Sequence, residues 1–107
     1  MSASASPSAA LRGVIESRRA EFDALLARYA ARNPRLFGSV ARGDAREGSD
    51  IDILVDMDPA EGNVLMRASG LLEEARQLYE RDDIDIFPSQ LLKHGVSDAA
   101  LADAIAL

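Results

Sequence analysis

The stretch from Asp50 to Val55, Asp-Ile-Asp-Ile-Leu-Val, constrains the fold more than any other part of the chain. It is β-rich and apolar except for two aspartates, and an ionised carboxylate does not enter an apolar interior without compensation. Successive side chains of a strand face opposite sides. Ile51, Ile53 and Val55 then share a core face, while Asp50, Asp52 and Leu54 share the other. The two carboxylates point the same way, roughly 6–7 Å apart along the backbone. Like charges at that range repel, and a divalent cation between them removes the repulsion by using both as oxygen ligands.

The run Asp83 to Phe87, Asp-Ile-Asp-Ile-Phe, repeats the pattern. Ile84 and Ile86 face one way; Asp83, Asp85 and Phe87 face the other. Placed beside the first acidic strand, it lets Asp85 complete a three-carboxylate cluster, with Asp83 as the competing third acid. Three carboxylates suit a pair of magnesium ions, which can clamp the attacking and leaving oxygens of a phosphoryl displacement. The chain has no cysteine and one histidine, His94, which excludes thiolate zinc and histidine-rich sites. Oxygen ligation remains, and it favours magnesium, manganese or calcium. His94 itself is expected in a surface loop.

Around these strands the sequence predicts helices. Residues 10–32 carry Leu11, Val14, Ile15, Phe22, Leu25, Leu26 and Tyr29 at helical spacing, stopped by Asn33-Pro34. Arg35 to Phe37 is a short strand, Val40 to Arg46 a short helix, and Glu47-Gly48-Ser49 a turn. Residues 61–80 return to helical period despite Gly70, which costs about 1 kcal/mol relative to alanine. Ser97-Asp98 caps a last helix to about Ala106 that buries Leu101 and Ile105. The expected order is α-β-α-β-α-β-α: an α/β (α+β) chain with a small mixed three-stranded sheet packed with helices. The direction of the first two strands is left open. The Ser/Ala-rich residues 1–9 are expected to be a disordered tail, and 10–107 a single domain.

Gly38-Ser39 precedes the acids at a suggestive place. At the start of a helix, backbone N–H groups and the positive dipole end attract anions, and glycine lets a phosphate approach closely. An anion site beside a magnesium site is what a nucleoside triphosphate requires.

Gly38-Ser39, ten residues, then Asp50-Ile51-Asp52 resembles the GSx10DxD signature of the DNA polymerase β-like nucleotidyltransferase superfamily. The fuller string, Gly38 to Val55, resembles the minimal nucleotidyltransferases, short proteins often paired with a HEPN-domain partner. The resemblance implies that Gly38 and Ser39 hold the triphosphate of ATP, and that Asp50 and Asp52 ligate two magnesium ions. It implies that Asp85 ligates the ion that activates an attacking hydroxyl, with pyrophosphate leaving. Arg42 and Arg46, expected one helical turn apart, either approach the triphosphate or pair with Asp44 and Glu47. Ser49 either touches phosphate or caps its turn.

Similar proteins act as antitoxins that transfer AMP to a tyrosine of a HEPN RNase toxin, so a hetero-oligomer with such a toxin is expected. The formal charge of −6 argues against a nucleic-acid polymer as partner. No run is long and apolar enough for a membrane span or a signal peptide, which makes the cytoplasm the expected compartment. With no further domain expected after Leu107, the acceptor brings its own surface. Two other functions stay open: a non-catalytic antitoxin that acts by complex formation, and a nucleotidyltransferase of a small hydroxyl compound.

Overall fold

The computed structural model describes residues 7–43, 45–46, 48–92 and 104–107. Its helices are α1 (Pro7–Ser17), α2 (Arg19–Arg28), α3 (Gly38–Arg42) and α4 (Val64–Tyr79). Its strands are β1 (Ala31–Phe37), β2 (Ile51–Met57), β3 (Ile84–Pro88) and β4 (Ile105–Ala106). The strands form one mixed sheet in the order β3-β2-β1-β4. β1 is antiparallel to both β2 and β4, while β2 and β3 run parallel, joined by the α4 crossover. The α/β (α+β) class is as expected, with four strands rather than three among the described residues.

Alternation fixes which face of β2 is covered. Ile51, Ile53, Val55 and Met57 are fully buried and join Leu36, Ile84, Leu71 and Phe22 in one core under the helices. Asp52 and Asp56 lie half-buried on the other face. Leu54 shares that face yet is also fully buried. Its cross-strand partners are Arg35 and Phe87, and the rings of Phe37 and Phe87 meet edge to face at 5.5 Å on the same side. The 3-10 turn Ser89–Leu92 packs against β2 as well. A small second apolar layer therefore lies among the acids.

The single helix expected over 10–32 is two helices, broken at Arg18 (φ −132°, ψ 40°). Glu16 to Glu21 holds no apolar residue larger than Ala20, so one straight helix would interrupt its own buried stripe. The break lets α1 pack on α3 while α2 packs on α4 and β1. The Ser17 hydroxyl donates to the Val14 carbonyl (2.6 Å) at the end of α1. The Tyr79 hydroxyl donates to the Ile15 carbonyl (2.8 Å), one of the acceptors that a helix end leaves over. Burial pushes the Tyr79 phenol up to about 12. α1 starts at Pro7, inside the stretch expected to be a tail; residues 1–6 lie outside the described residues.

Asn33-Pro34 does not end a helix. It lies inside β1, which begins at Ala31 instead of Arg35. Asn33 takes a left-handed φ of 52°, and the register with β2 shifts between Arg32 and Arg35. Proline has no N–H for the ladder, and a bulge is where a strand accommodates it. The helix expected to reach Arg46 ends at Arg42, and β3 ends at Pro88 rather than Phe87. Most of the expected last helix, with Leu101 and His94, lies outside the described residues. Its end is corrected: Ile105–Ala106 is β4, paired with Arg35 and Leu36, because β1 otherwise presents an open edge.

Two residues tie α2 to α4. The Arg67 guanidinium donates to four carbonyls, those of Tyr29, Ala30, Asp58 and Gly62, at 2.9–3.1 Å. It thereby secures the left-handed Ala30 (φ 54°) that links α2 to β1. Gly70 leaves room for Tyr29: a Cβ there would stand 2.7 Å from the Tyr29 ring. The Tyr29 hydroxyl is held by Glu74, one turn further along α4. Gly70→Ala therefore loses the usual helix gain of about 1 kcal/mol to overpacking of roughly 1–3 kcal/mol. Urea unfolding should show Gly70→Ala less stable than the parent, and a Tyr29→Ala background should remove or reverse that loss.

Candidate active site

The site begins where β1 ends. Phe37 pairs with Asp52 across the antiparallel ladder, so the next residue, Gly38, lies against the start of β2. Gly38 adopts φ +73°, where glycine is favoured, and a Cβ there would stand 2.7 Å from the Asp52 Oδ2. The Gly38 backbone and the Asp52 carboxylate are thus in direct apposition. Val40, Ala41 and Ala45 are buried and anchor the arc that connects them.

β3 adds the second acid. Asp52 pairs with Asp85 in the parallel register, so the two carboxylates leave adjacent strands on the same face. Asp85 does not stand alone. Arg76, from α4, donates through Nη2 to Asp85 Oδ1 (2.9 Å) and through Nε to the Ile84 carbonyl (2.9 Å). Asp83, the competing third acid, is gripped by both ends of the Arg81 guanidinium at 2.8 and 2.7 Å. That hydrogen bond holds the Asp83 carboxyl below its usual range against the opposing effect of burial. The register favours Asp85, and the Arg81 clamp occupies Asp83.

The expected trio is not gathered. Asp50 precedes β2 and is exposed, and among the described residues no three histidine or acidic side chains stand close enough to hold a metal ion. The physical reason is local: Asp50 lies outside the ladder that aligns Asp52 with Asp85, so no strand register fixes its side chain. Gly38 and Asp52 are brought together, as are Asp52 and Asp85; Asp50 is not.

Of the other expected residues, Ser39 and Arg42 belong to α3, and their side chains lie outside the described residues. Arg46 stands beyond the helix end, so it is not one helical turn from Arg42; Asp44 and Glu47 also lie outside the described residues. The Ser49 hydroxyl accepts from the Arg46 N–H (2.8 Å), and the Ser49 N–H donates to the Arg46 carbonyl (3.0 Å). That is the turn-capping use of Ser49.

The sequence reading missed Arg76 and the Phe37–Phe87 pair. The face shared by Phe87 and Asp85 signalled the second ring, whereas nothing in a helical stripe signals which arginine will curl round a sheet edge. It also missed a polar knot at the far end of the acidic face. Asp56 there accepts from Arg35 (2.5 Å), Ser89 (2.7 Å) and Asn33 (3.1 Å). Burial pushes its carboxyl up, but the hydrogen bonds from Ser89 and Asn33 and the Arg35 charge together bring it below the ordinary 3.8.

This geometry, a glycine backbone against an acid that is in register with another acid, has a counterpart among known proteins. The nucleotidyltransferase domain family matches residues 23–107. The chain belongs to that family. A solved structure described provisionally as a minimal nucleotidyltransferase is 36% identical and superimposes with a TM-score of 0.66, covering 87% of this chain and 95% of its own. This nucleotidyltransferase is therefore of the minimal type, and its general activity is nucleotidyl transfer. Among curated proteins, none matches the chain. No helix among the described residues is long and apolar enough to cross a membrane.

Two outcomes follow for the nucleotidyltransferase site. Gly38→Ala places a methyl group against Asp52 and forces a strained φ, so nucleotide binding, followed by calorimetry, should fall at least about tenfold while the fold survives. Asp56 has its folded pKa below its unfolded value, so its contribution is present above about pH 4 and is lost as pH falls through the folded value. Asp56→Asn should cost about 1 kcal/mol at neutral pH, the carboxylate being partly exposed. Denaturant melts across pH 2–6 should show a flatter acid limb for the variant than for the parent.

Proposed function

We propose that this chain transfers AMP from ATP to a hydroxyl of a protein partner, with a tyrosine of a HEPN-domain toxin as the acceptor. The observation that carries the reading is the apposition of the Gly38 backbone with Asp52, itself in register with Asp85. It brings the two halves of the signature to one place.

The donor set fits magnesium. Its ligands are carboxylate oxygens, and cysteine is absent from the chain. Asp52 and Asp85 would hold the ion, with Asp50 free to turn inward from its exposed position. Divalent ions there would neutralise the triphosphate and favour loss of the hydroxyl proton. Gly38 lets the phosphate chain approach the backbone beside the Asp52 carboxylate. The acceptor oxygen would form a bond to the α-phosphorus as the bond to the pyrophosphate oxygen breaks and its proton passes to solvent, with Asp85 as a ligand of the ion that activates the hydroxyl. Catalysis of this kind rests on positioning and charge neutralisation.

The partner is inferred from surface and charge. Leu65, Met66 and Leu91 are strongly exposed, which suits docking to another protein, and a net charge of −6 suits a protein better than a polyphosphate polymer. A second reading, neutralisation by complex formation without chemistry, is favoured by the position of Asp50 outside the acid pair.

The experiment combines the chain with a HEPN-domain partner, ATP and magnesium and weighs the partner by mass spectrometry. One added AMP is expected. Asp52→Asn and Asp85→Asn should each slow the addition at least about a hundredfold. An unmodified partner, together with an Asp50→Asn/Asp52→Asn variant that still protects cells fully, would establish the binding reading instead.

A further inference from the structure

The acid pair raises an electrostatic question that the signature leaves open. Two carboxylates in register on neighbouring strands stand about 5 Å apart at their roots, and like charges so placed destabilise a sheet. Among the described residues, the cation bonded to Asp85 is Arg76. It is not a chance surface pairing. Its Nε is tied to the carbonyl of Ile84, the residue just before Asp85, while Nη2 takes Asp85 Oδ1, so main chain and carboxylate hold the guanidinium together.

Arg76 also has somewhere else to go. It lines an open groove of about 740 Å³ between α4 and the chain leading into β3. Glu73 and Glu80 line the same groove, three residues before and four residues after Arg76. Glu73 stands at a spacing at which side chains on a helix meet Arg76, while Glu80 is the left-handed cap just past the end of α4 and borders the groove from there. Both glutamates are exposed, and neither takes part in an ion pair with the described residues, whereas Glu74 between them is engaged by Arg28 and Tyr29.

We propose that Arg76 is the resident counterion of Asp85 in the acid pair, displaced when a divalent cation binds, its guanidinium then swinging into the groove towards Glu73 and Glu80. The proposal rests on the reading of the acid pair as a metal site but not on the identity of the acceptor. In the metal-free protein Arg76 neutralises Asp85 and steadies the register. When a cation arrives, it competes with an internal charge already in place. Cation affinity is thereby held down, so the site fills when nucleotide phosphates add their own negative charge. Arg76 is a positioning residue in this scheme, acting through Asp85.

The test uses manganese alone, titrated into the full chain without nucleotide and followed by the loss of the free-ion paramagnetic resonance signal. Arg76→Gln removes the charge with which the cation competes for Asp85 and should tighten binding about tenfold, the order of a unit charge acting at close range in a water-like dielectric. Arg76→Lys keeps the charge and should stay near the parent. Glu73→Gln/Glu80→Gln, at exposed positions that leave folding intact, should weaken binding about two- to threefold by removing the place to which Arg76 moves. The gain in Arg76→Gln must vanish when Asp52→Asn is added. Equal or weaker manganese binding by Arg76→Gln, or none by either protein, overturns the proposal, as does a gain that survives Asp52→Asn. AMP transfer is scored separately. A tightened Arg76→Gln with no transfer to any partner leaves the counterion standing and removes the proposed function, while transfer without tightening does the reverse.

Discussion

β2 is held on one edge by an antiparallel neighbour and on the other by a parallel one, and both ladders coincide at Asp52. Phe37 stands opposite it on β1 and Asp85 on β3. A slip of one residue in either ladder turns every side chain of the slipped strand to the other face. Such a slip would drive Asp52 or Asp85 under the helices, where an ionised carboxylate is strongly disfavoured. The buried Ile51, Ile53, Val55 and Met57 prevent it, because the same slip would move them out of the core. Core and site are thus two faces of one register.

The acidic face is more than a solvated surface. Leu54 is fully buried between Arg35 and Phe87, whose ring meets Phe37, so Asp52 and Asp85 border an apolar floor. Electrostatic interactions strengthen as the local dielectric falls, for repulsion and attraction alike. The charges on this face are accordingly matched: Asp56 by Arg35, Asp83 by Arg81 and Asp85 by Arg76. Arg35 and Arg81 belong to the sheet or the turn leading into it, whereas Arg76 comes from the helix on the opposite side of the sheet. That makes the pair at the site the one that depends on how α4 and β3 pack.

Much of this was legible in the chain. Alternation from Ile51 to Val55 and from Ile84 to Phe87 put Asp52 and Asp85 on the face opposite the buried isoleucines, because the apolar residues choose which of a strand's two faces is covered. The Gly38-Ser39 spacing located the turn against Asp52. What escaped were features that depend on neighbours. The break at Arg18 arises because α1 and α2 pack on different partners, which a helical stripe does not reveal. The bulge at Asn33-Pro34 reads in the sequence as a helix stop, since proline signals an interruption without saying of what. Ile105 fits an amphipathic helix as well as an edge strand; the open edge of β1 decided for the strand. Gly70 was counted as a weakness of α4, but it is the gap that admits Tyr29.

Asp50 shows where sequence signatures and structures divide. Two residues of one DxD pattern differ in what fixes them. Asp52 is set by two ladders and by contact with Gly38. Asp50 follows the turn from Arg46 to Ser49, in which Gly48 takes φ +82°, and it lies before the first paired residue. Its backbone nevertheless enters β2 directly, and the neighbouring Ile51 N–H is anchored to the Asp83 carbonyl at 2.8 Å. The freedom of Asp50 is therefore largely that of its side chain, with a short reach. A registered acid pair with the third acid outside the ladder keeps three like charges from being fixed side by side. Gathering all three in advance would add repulsion that a 107-residue domain with a single small core has little stability to offset.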